Sequence, residues 1–162
     1  MTSVRVTTMP SRNYNQLSKS VVGQNSLVVR VQACRDAHIA LSQLFNNIIT
    51  GTYEIIIGGY GNMKSFIRDA ATYDEHLSVD TPNIMDCTNY KTFWVKWDSD
   101  YRLTVGRGAV VGTDTFLDWI DPQQRIFQGV TISTWNDAEG LWDFSFLDGE
   151  LHMSVVTGFL NH

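Results

Sequence analysis

The chain has 162 residues, a net charge of −5 and a pI near 5.2, and 12% of it is aromatic, with five tryptophans. That length suits one domain with a true core, since a domain of about 150 residues buries roughly two-thirds of its unfolded surface. The negative balance excludes a sequence-blind nucleic-acid binder and a protein held on anionic lipid, both of which need a concentrated positive field.

The opening "MTSVRVTTMPSRNY" lacks the apolar core of a secretory signal, and no later run approaches the ~20 apolar residues of a membrane span. The expectation is a soluble protein without membrane insertion. It would act outside the cell, by a leaderless route or after loss of a leader, in preference to the cytoplasm. "SRNYNQLSKS" reads as a long polar loop. "LVVRVQA" and "HIALS" alternate apolar and polar residues and flank Arg35 and Asp36, which predicts a hairpin. "YEIIIGGYGNMKSFIR" predicts another, with Tyr53 to Ile57 as one strand, Gly58 to Met63 as the turn and Lys64 to Arg68 as the return. "ATYDEHLSVDTPNIMDCTN" reads as a second long loop.

In "FWVKW", Phe93, Val95 and Trp97 share a face; after the turn "DSD", Tyr101, Leu103 and Val105 share one in "YRLTV". "TDTFLDWIDP" carries the helical signal, a single turn with Thr113 as cap, Phe116 and Trp119 at i, i+3, and Pro122 as the stop. "FQGVTIST" supplies a further strand. "LWDFSFL" and "ELHMSVV" flank Asp148 and Gly149 as a last hairpin, with Trp142, Phe144 and Phe146 as an inward stripe. About eight to ten short strands at this spacing predict an all-β fold, an antiparallel sandwich of two packed sheets, with less than about one-tenth of residues in helix. The reading is a single domain over 1–162, with the C-terminal strand reaching about residue 156. Cys34 and Cys87 are either inert thiols or one bridge.

The glycine stretch imitates the first motif of an S-adenosylmethionine-dependent methyltransferase, and Asp80 in "LSVD" stands where a ribose ligand would be sought. The strict GxGxxG spacing fails at Lys64, and residues 90–156 read as strand and turn where that fold needs helices. "DAHIALS", "YEIIIGGYGNMKSFIR", "FWVKW", "LTVGRG", "FLDWIDP" and "VTIST" followed by "GLWDF" resemble, in order and spacing, the farnesoic acid O-methyltransferase-like domain of invertebrate proteins, over about Leu27 to Leu147. The resemblance implies an all-β recognition module that accompanies lectin-type domains, and brings no catalytic residues with it. Tyr60 departs from the tryptophan expected in the glycine turn.

His38, with Asp36 on its strand face, Glu54 and Arg68 project from strands that short connections would make neighbours. Such a cluster beside aromatic rings can read sugar hydroxyls while a ring packs on the apolar face of a pyranose; the competing reading is a ladder of ion pairs on a solvated sheet. A loop rim offers the second candidate site: Tyr60, Asn62 and Lys64 in the glycine turn with Trp119 and Asp121 in "FLDWIDP". His38, His76, His152 and His162 have no metal-ligand spacing, and no nucleophile motif stands out. The sequence therefore reads as a non-catalytic carbohydrate-binding module, without metal or cofactor, whose partner is a glycan or glycoconjugate and which forms a homo-oligomer. A protein-binding or structural β domain and an S-adenosylmethionine-dependent O-methyltransferase are the alternatives.

Overall fold

The computed structural model describes residues 2–8, 15–44, 47–135, 138–146 and 154–157, and the side chains of 20–43, 51–135 and 138–143. Thirteen strands run through them: β1 (Thr2–Thr8), β2 (Asn15–Ser20), β3 (Ser26–Ala33), β4 (Ala37–Leu44), β5 (Asn47–Gly58), β6 (Lys64–Asp69), β7 (Glu75–Asp80), β8 (Asp86–Trp97), β9 (Arg102–Arg107), β10 (Thr115–Ile120), β11 (Gly129–Thr134), β12 (Gly140–Phe146) and β13 (Ser154–Thr157). One sheet has the order β1-β12-β3-β8-β9-β10, the other β13-β2-β11-β4-β5-β6-β7. The pairings are antiparallel throughout.

Period-two alternation explains the two-layer packing, because it gives each strand one apolar face. Ile39, Leu41, Tyr53, Ile55, Ile57 and Ile67 from one sheet meet Val29, Val31, Phe93, Val95, Leu103, Val105 and Trp142 from the other in a single core. Phe93, Val95 and Trp97 point inward as the alternation predicts. Trp94 is nevertheless buried on the outer face, where its indole N–H donates to the Thr113 carbonyl at 2.9 Å.

Two predicted hairpins are present. β5 and β6 pair across the glycine turn, and β8 and β9 pair across "DSD", closed by Tyr101 N–H to the Asp98 carbonyl. Two others are corrected. β3 pairs with β12 and β8, whereas β4 pairs with β11 and β5, so Arg35 and Asp36 cross from one sheet to the other. Likewise β12 lies between β1 and β3 while β13 pairs with β2; Asp148 and Gly149 lie outside the described residues, as do the side chains of Phe144 and Phe146. Alternation fixes which face turns inward but not which strand lies alongside.

The helical turn expected in "TDTFLDWIDP" is also corrected. Thr115–Ile120 is β10, paired with β9 through a register shift between Thr115 and Leu117 that brings Leu117 and Trp119 inward. The bulge, which adds one residue to the strand, is what mimics the i, i+3 spacing. The two polar stretches read as loops contain β2, β7 and the start of β8. Among the described residues the only helical hydrogen bonding is at Gly59–Asn62, and even there Tyr60, Gly61 and Asn62 have φ of 51°, 70° and 67°. It is a left-handed turn, closed by Met63 N–H to the Gly59 carbonyl at 3.0 Å. Cys34 and Cys87 form a disulfide between the β3–β4 crossing and the beginning of β8.

Candidate functional site

The outer face of the β11-β4-β5-β6-β7 layers carries the predicted cluster. Register places Glu54 opposite Arg68 and Ala40, Ile56 opposite Phe66 and His38, and His38 opposite Ser133. Arg68 Nε donates to Glu54 Oε2 at 2.5 Å. The guanidinium is further enclosed by rings, lying 4.8 Å from the centre of Tyr73, 5.1 Å from Trp135 and 6.0 Å from Phe66. His38 stacks on Trp135 with ring centres 5.4 Å apart.

These residues border a recess of about 320 Å³ lined by Arg35, Asp36, His38, Ile56, Tyr60, Gly61, Phe66, Arg68 and Trp135. Asp36 holds its mouth together, with its side chain taking a 2.7 Å hydrogen bond from Arg35, its N–H donating to the Gly58 carbonyl and its carbonyl accepting from Trp135 N–H. Tyr60 is 62% exposed on the rim and donates its hydroxyl to Glu75 at 2.5 Å. Burial, helped by the positive charge of Arg68, pushes His38 down to about 3, so the imidazole is neutral. Burial raises Glu54 and Asp36, opposed by Arg68 in the first case and chiefly by Arg35 in the second.

Two polar atoms of the recess residues stand out. His38 Nδ1 and Arg68 Nη2 are buried and have no hydrogen-bond partner. A buried polar group left unpaired costs about 1–3 kcal/mol.

The structure gathers Asp36, His38, Arg68 and Tyr60 around the recess, with Glu54 fixing Arg68 from below. Lys64 shares their sheet face on β6 but pairs with Asp80 at 3.5 Å. The Asn62 side chain braces the turn, donating to the Met85 carbonyl and accepting from Met85 N–H, both at 3.0 Å. The structure does not bring Trp119 and Asp121 to Tyr60, because β10 runs toward the far end of the sandwich, where Asp121 N–H meets the Tyr101 carbonyl. Trp119 packs on the core beside Tyr53 and stacks on His76 at 4.9 Å. Asp121 is buried and accepts the Tyr53 hydroxyl at 2.6 Å.

The family model described as farnesoic acid O-methyl transferase matches residues 10–146. The chain belongs to that family. Uncharacterized protein 5 of Haliotis asinina is similar to this chain, 28% identical over 124 residues, 75% of this chain and 69% of that protein. Among solved structures, the carbohydrate-binding module CBM66 of Bacillus subtilis superposes with a TM-score of 0.52 at 14% identity, covering 83% of this chain and 84% of its own. A prokaryotic β-1,3-1,4-glucanase (lichenase) from a mouse hindgut metagenome gives 0.52 at 7% identity, with 88% and 78% covered. At such identities the likeness is one of fold, a β-sandwich.

Within this farnesoic acid O-methyl transferase family chain, sequence reading overlooked Trp135, Arg35 and Phe66 as recess residues. Parity puts Trp135 on the face of Ser133, two residues earlier, but only the pairing of β11 with β4, which sets Ser133 opposite His38, brings it to the recess.

Proposed function

We propose that this chain is a non-catalytic carbohydrate-recognition module that takes a neutral sugar into the recess between Asp36, His38, Tyr60, Arg68 and Trp135. The observation that carries the reading is the pair of unpartnered buried atoms, His38 Nδ1 and Arg68 Nη2. A sugar hydroxyl both donates and accepts, so one hydroxyl or a neighbouring pair satisfies a neutral imidazole nitrogen and a guanidinium N–H together. The rings of Tyr60, Phe66 and Trp135 supply the apolar surface that a pyranose face requires.

Charge balance supports a neutral ligand. Arg68 is paired with Glu54 and Arg35 with Asp36, which leaves no net positive charge to attract an acidic sugar. Enclosure of Arg68 by rings and by Glu54 fixes its donor before the ligand arrives, which lowers the ordering cost of binding. The names of two proteins of similar fold, a carbohydrate-binding module and a glucanase, agree with this ligand class. A single shallow site binds weakly, so a homo-oligomer presenting several copies to a glycoconjugate outside the cell completes the proposal.

The family description favours methyl transfer as a second reading. Against it, the amides at both ends of the glycine turn are held within the hairpin: Met63 N–H bonds to the Gly59 carbonyl and Gly58 N–H to the Ser65 hydroxyl at 3.3 Å. Those amides are not presented to a cofactor.

The test is a broad glycan array probed with the whole chain, followed by titration of the best hit against variants. His38→Ala and Tyr60→Asn are expected to weaken binding, the former by about 1–3 kcal/mol, the value of a fixed hydrogen-bond partner. Asparagine tolerates the left-handed φ of Tyr60 and so keeps the turn. Trp119→Phe, at the far end, is expected to bind as the parent does. A folded parent that recognises no glycan, or shows methyl transfer from S-adenosylmethionine, sinks the proposal.

A further inference from the structure

A second cavity, of about 440 Å³, opens at the other end of the sandwich from the recess, between the β2–β3 loop, the β8–β9 turn and the β10–β11 loop. Its wall is apolar, with Trp97, Leu103 and Phe127 inside and Val22 and Ile126 at the mouth, 69% and 68% exposed. Arg125 also lines it, and its side chain is only 10% exposed.

The hydrogen bonds around Arg125 are almost closed. Its Nη2 donates to Asp69 Oδ2 at 3.0 Å and to Gln123 Oε1 at 2.7 Å, its backbone N–H donates to Asp121 Oδ2 at 2.8 Å, and its guanidinium lies 4.1 Å from the centre of the Tyr53 ring. Asp121 Oδ1 takes the Tyr53 hydroxyl and Gln123 N–H, and Asp69 Oδ1 takes the N–H groups of Ala71 and Thr72. Arg125 Nη1 is left over, buried and without a partner.

We infer that this cleft is a second binding site, for a small, neutral, largely apolar molecule whose one hydrogen-bond-accepting oxygen is taken by Arg125 Nη1. The acceptor follows from the leftover donor, and the apolar body from the wall. Neutrality follows from the charges already present: Asp69 pairs with the Arg125 guanidinium at 3.0 Å, Asp121 takes the Arg125 backbone N–H, and Arg102, the other arginine of the lining, pairs with Asp118, so a ligand carboxylate would add an acid beside cations that already have one. The site shares no residue with the recess, and the inference stands whether or not the recess binds sugar.

The probes are 2-octanone and octanoate, matched in length, with an acceptor oxygen common to both and a charge on one. The indole N–H of Trp97, which donates to the Gln24 carbonyl at 3.0 Å in the cleft wall, is the reporter in a nitrogen-15 NMR titration. Expected is a saturable shift of that signal with 2-octanone and at least tenfold weaker binding of octanoate. Arg125→Lys, which keeps a cation beside Asp69 but lacks the second nitrogen, is expected to lose at least fivefold for the ketone. Because that variant touches a buried network, Ile126→Asp on the exposed mouth serves as an independent one, with at least a tenfold loss at an unchanged melting temperature. Tyr60→Asn should bind the ketone as the parent does. Octanoate binding as tightly as the ketone, no saturable shift, or full ketone affinity in Ile126→Asp overturns the inference.

Discussion

His38 is a histidine that burial keeps neutral, and the consequence is a definite pH dependence. Its value falls from 6.5 to about 3 on folding, first through desolvation and then through Arg68. Above the unfolded value neither state holds the proton and the contribution is complete; as pH falls toward the folded value the unfolded chain is protonated first, and stability is lost. The loss is at most about 1.4 kcal/mol per pH unit below about pH 6.5. Asp36 and Glu54, both raised by burial, work in the opposite direction at lower pH, since the folded chain then holds protons that the unfolded chain releases. The clean measurement is therefore a difference: urea unfolding of the parent and of His38→Gln at several pH values between about 4.5 and 7.5. The parent should lose stability relative to the variant as pH falls through this window. Parallel curves would mean that His38 is charged in the folded protein.

At the scale of elements, two glycines explain how close packing shapes the two outer faces. A Cβ on Gly59 would come within 2.6 Å of Phe66 Cε1 and 3.0 Å of Ile56 Cγ2, both side chains of the recess. On β9, a Cβ on Gly106 would sit 2.3 Å from the Trp94 ring, on the other sheet. Both Gly→Ala changes are expected to cost about 1–3 kcal/mol in urea unfolding, the usual range for overpacking. Only Gly59→Ala should also weaken glycan binding, because only there does the displaced ring belong to the site. Equal binding by both variants would detach Phe66 from recognition. The sequence made the β5–β6 and β8–β9 hairpins legible because a turn and both its strands lie within one short window. It hid the pairing of β3 with β8 and β12, of β4 with β11 and of β12 with β1, since those are set by contacts between distant segments. The weakly apolar β7 was hidden too, with Leu77 and Val79 diluted among charges. Parity along strands was enough to bring His38, Glu54 and Arg68 to one face. It was not enough for Arg125, whose place depends on the course of a loop.

For the molecule as a whole, the disulfide joins what the sheets leave apart. Arg35 and Asp36 lie on the crossing from β3 in one sheet to β4 in the other, next to Cys34, and Cys87 ties that crossing to β8 across a separation of 53 residues. Closing a loop of that length restricts the unfolded chain by about 4 kcal/mol in the chain-entropy model. The bond also suits the oxidising conditions of the extracellular location proposed above. The expected outcome is that Cys34→Ser with Cys87→Ser, or the parent under reductant, unfolds at markedly lower urea. Glycan affinity should fall as well, because Asp36 N–H to Gly58 and Trp135 N–H to the Asp36 carbonyl hold the recess mouth to this crossing. Thiol titration of the native and the urea-unfolded protein decides whether the bridge is there: two reactive thiols without reductant would remove it. A bridge whose loss lowers stability but leaves binding intact would show instead that hydrogen bonds alone keep Arg35 and Asp36 in place.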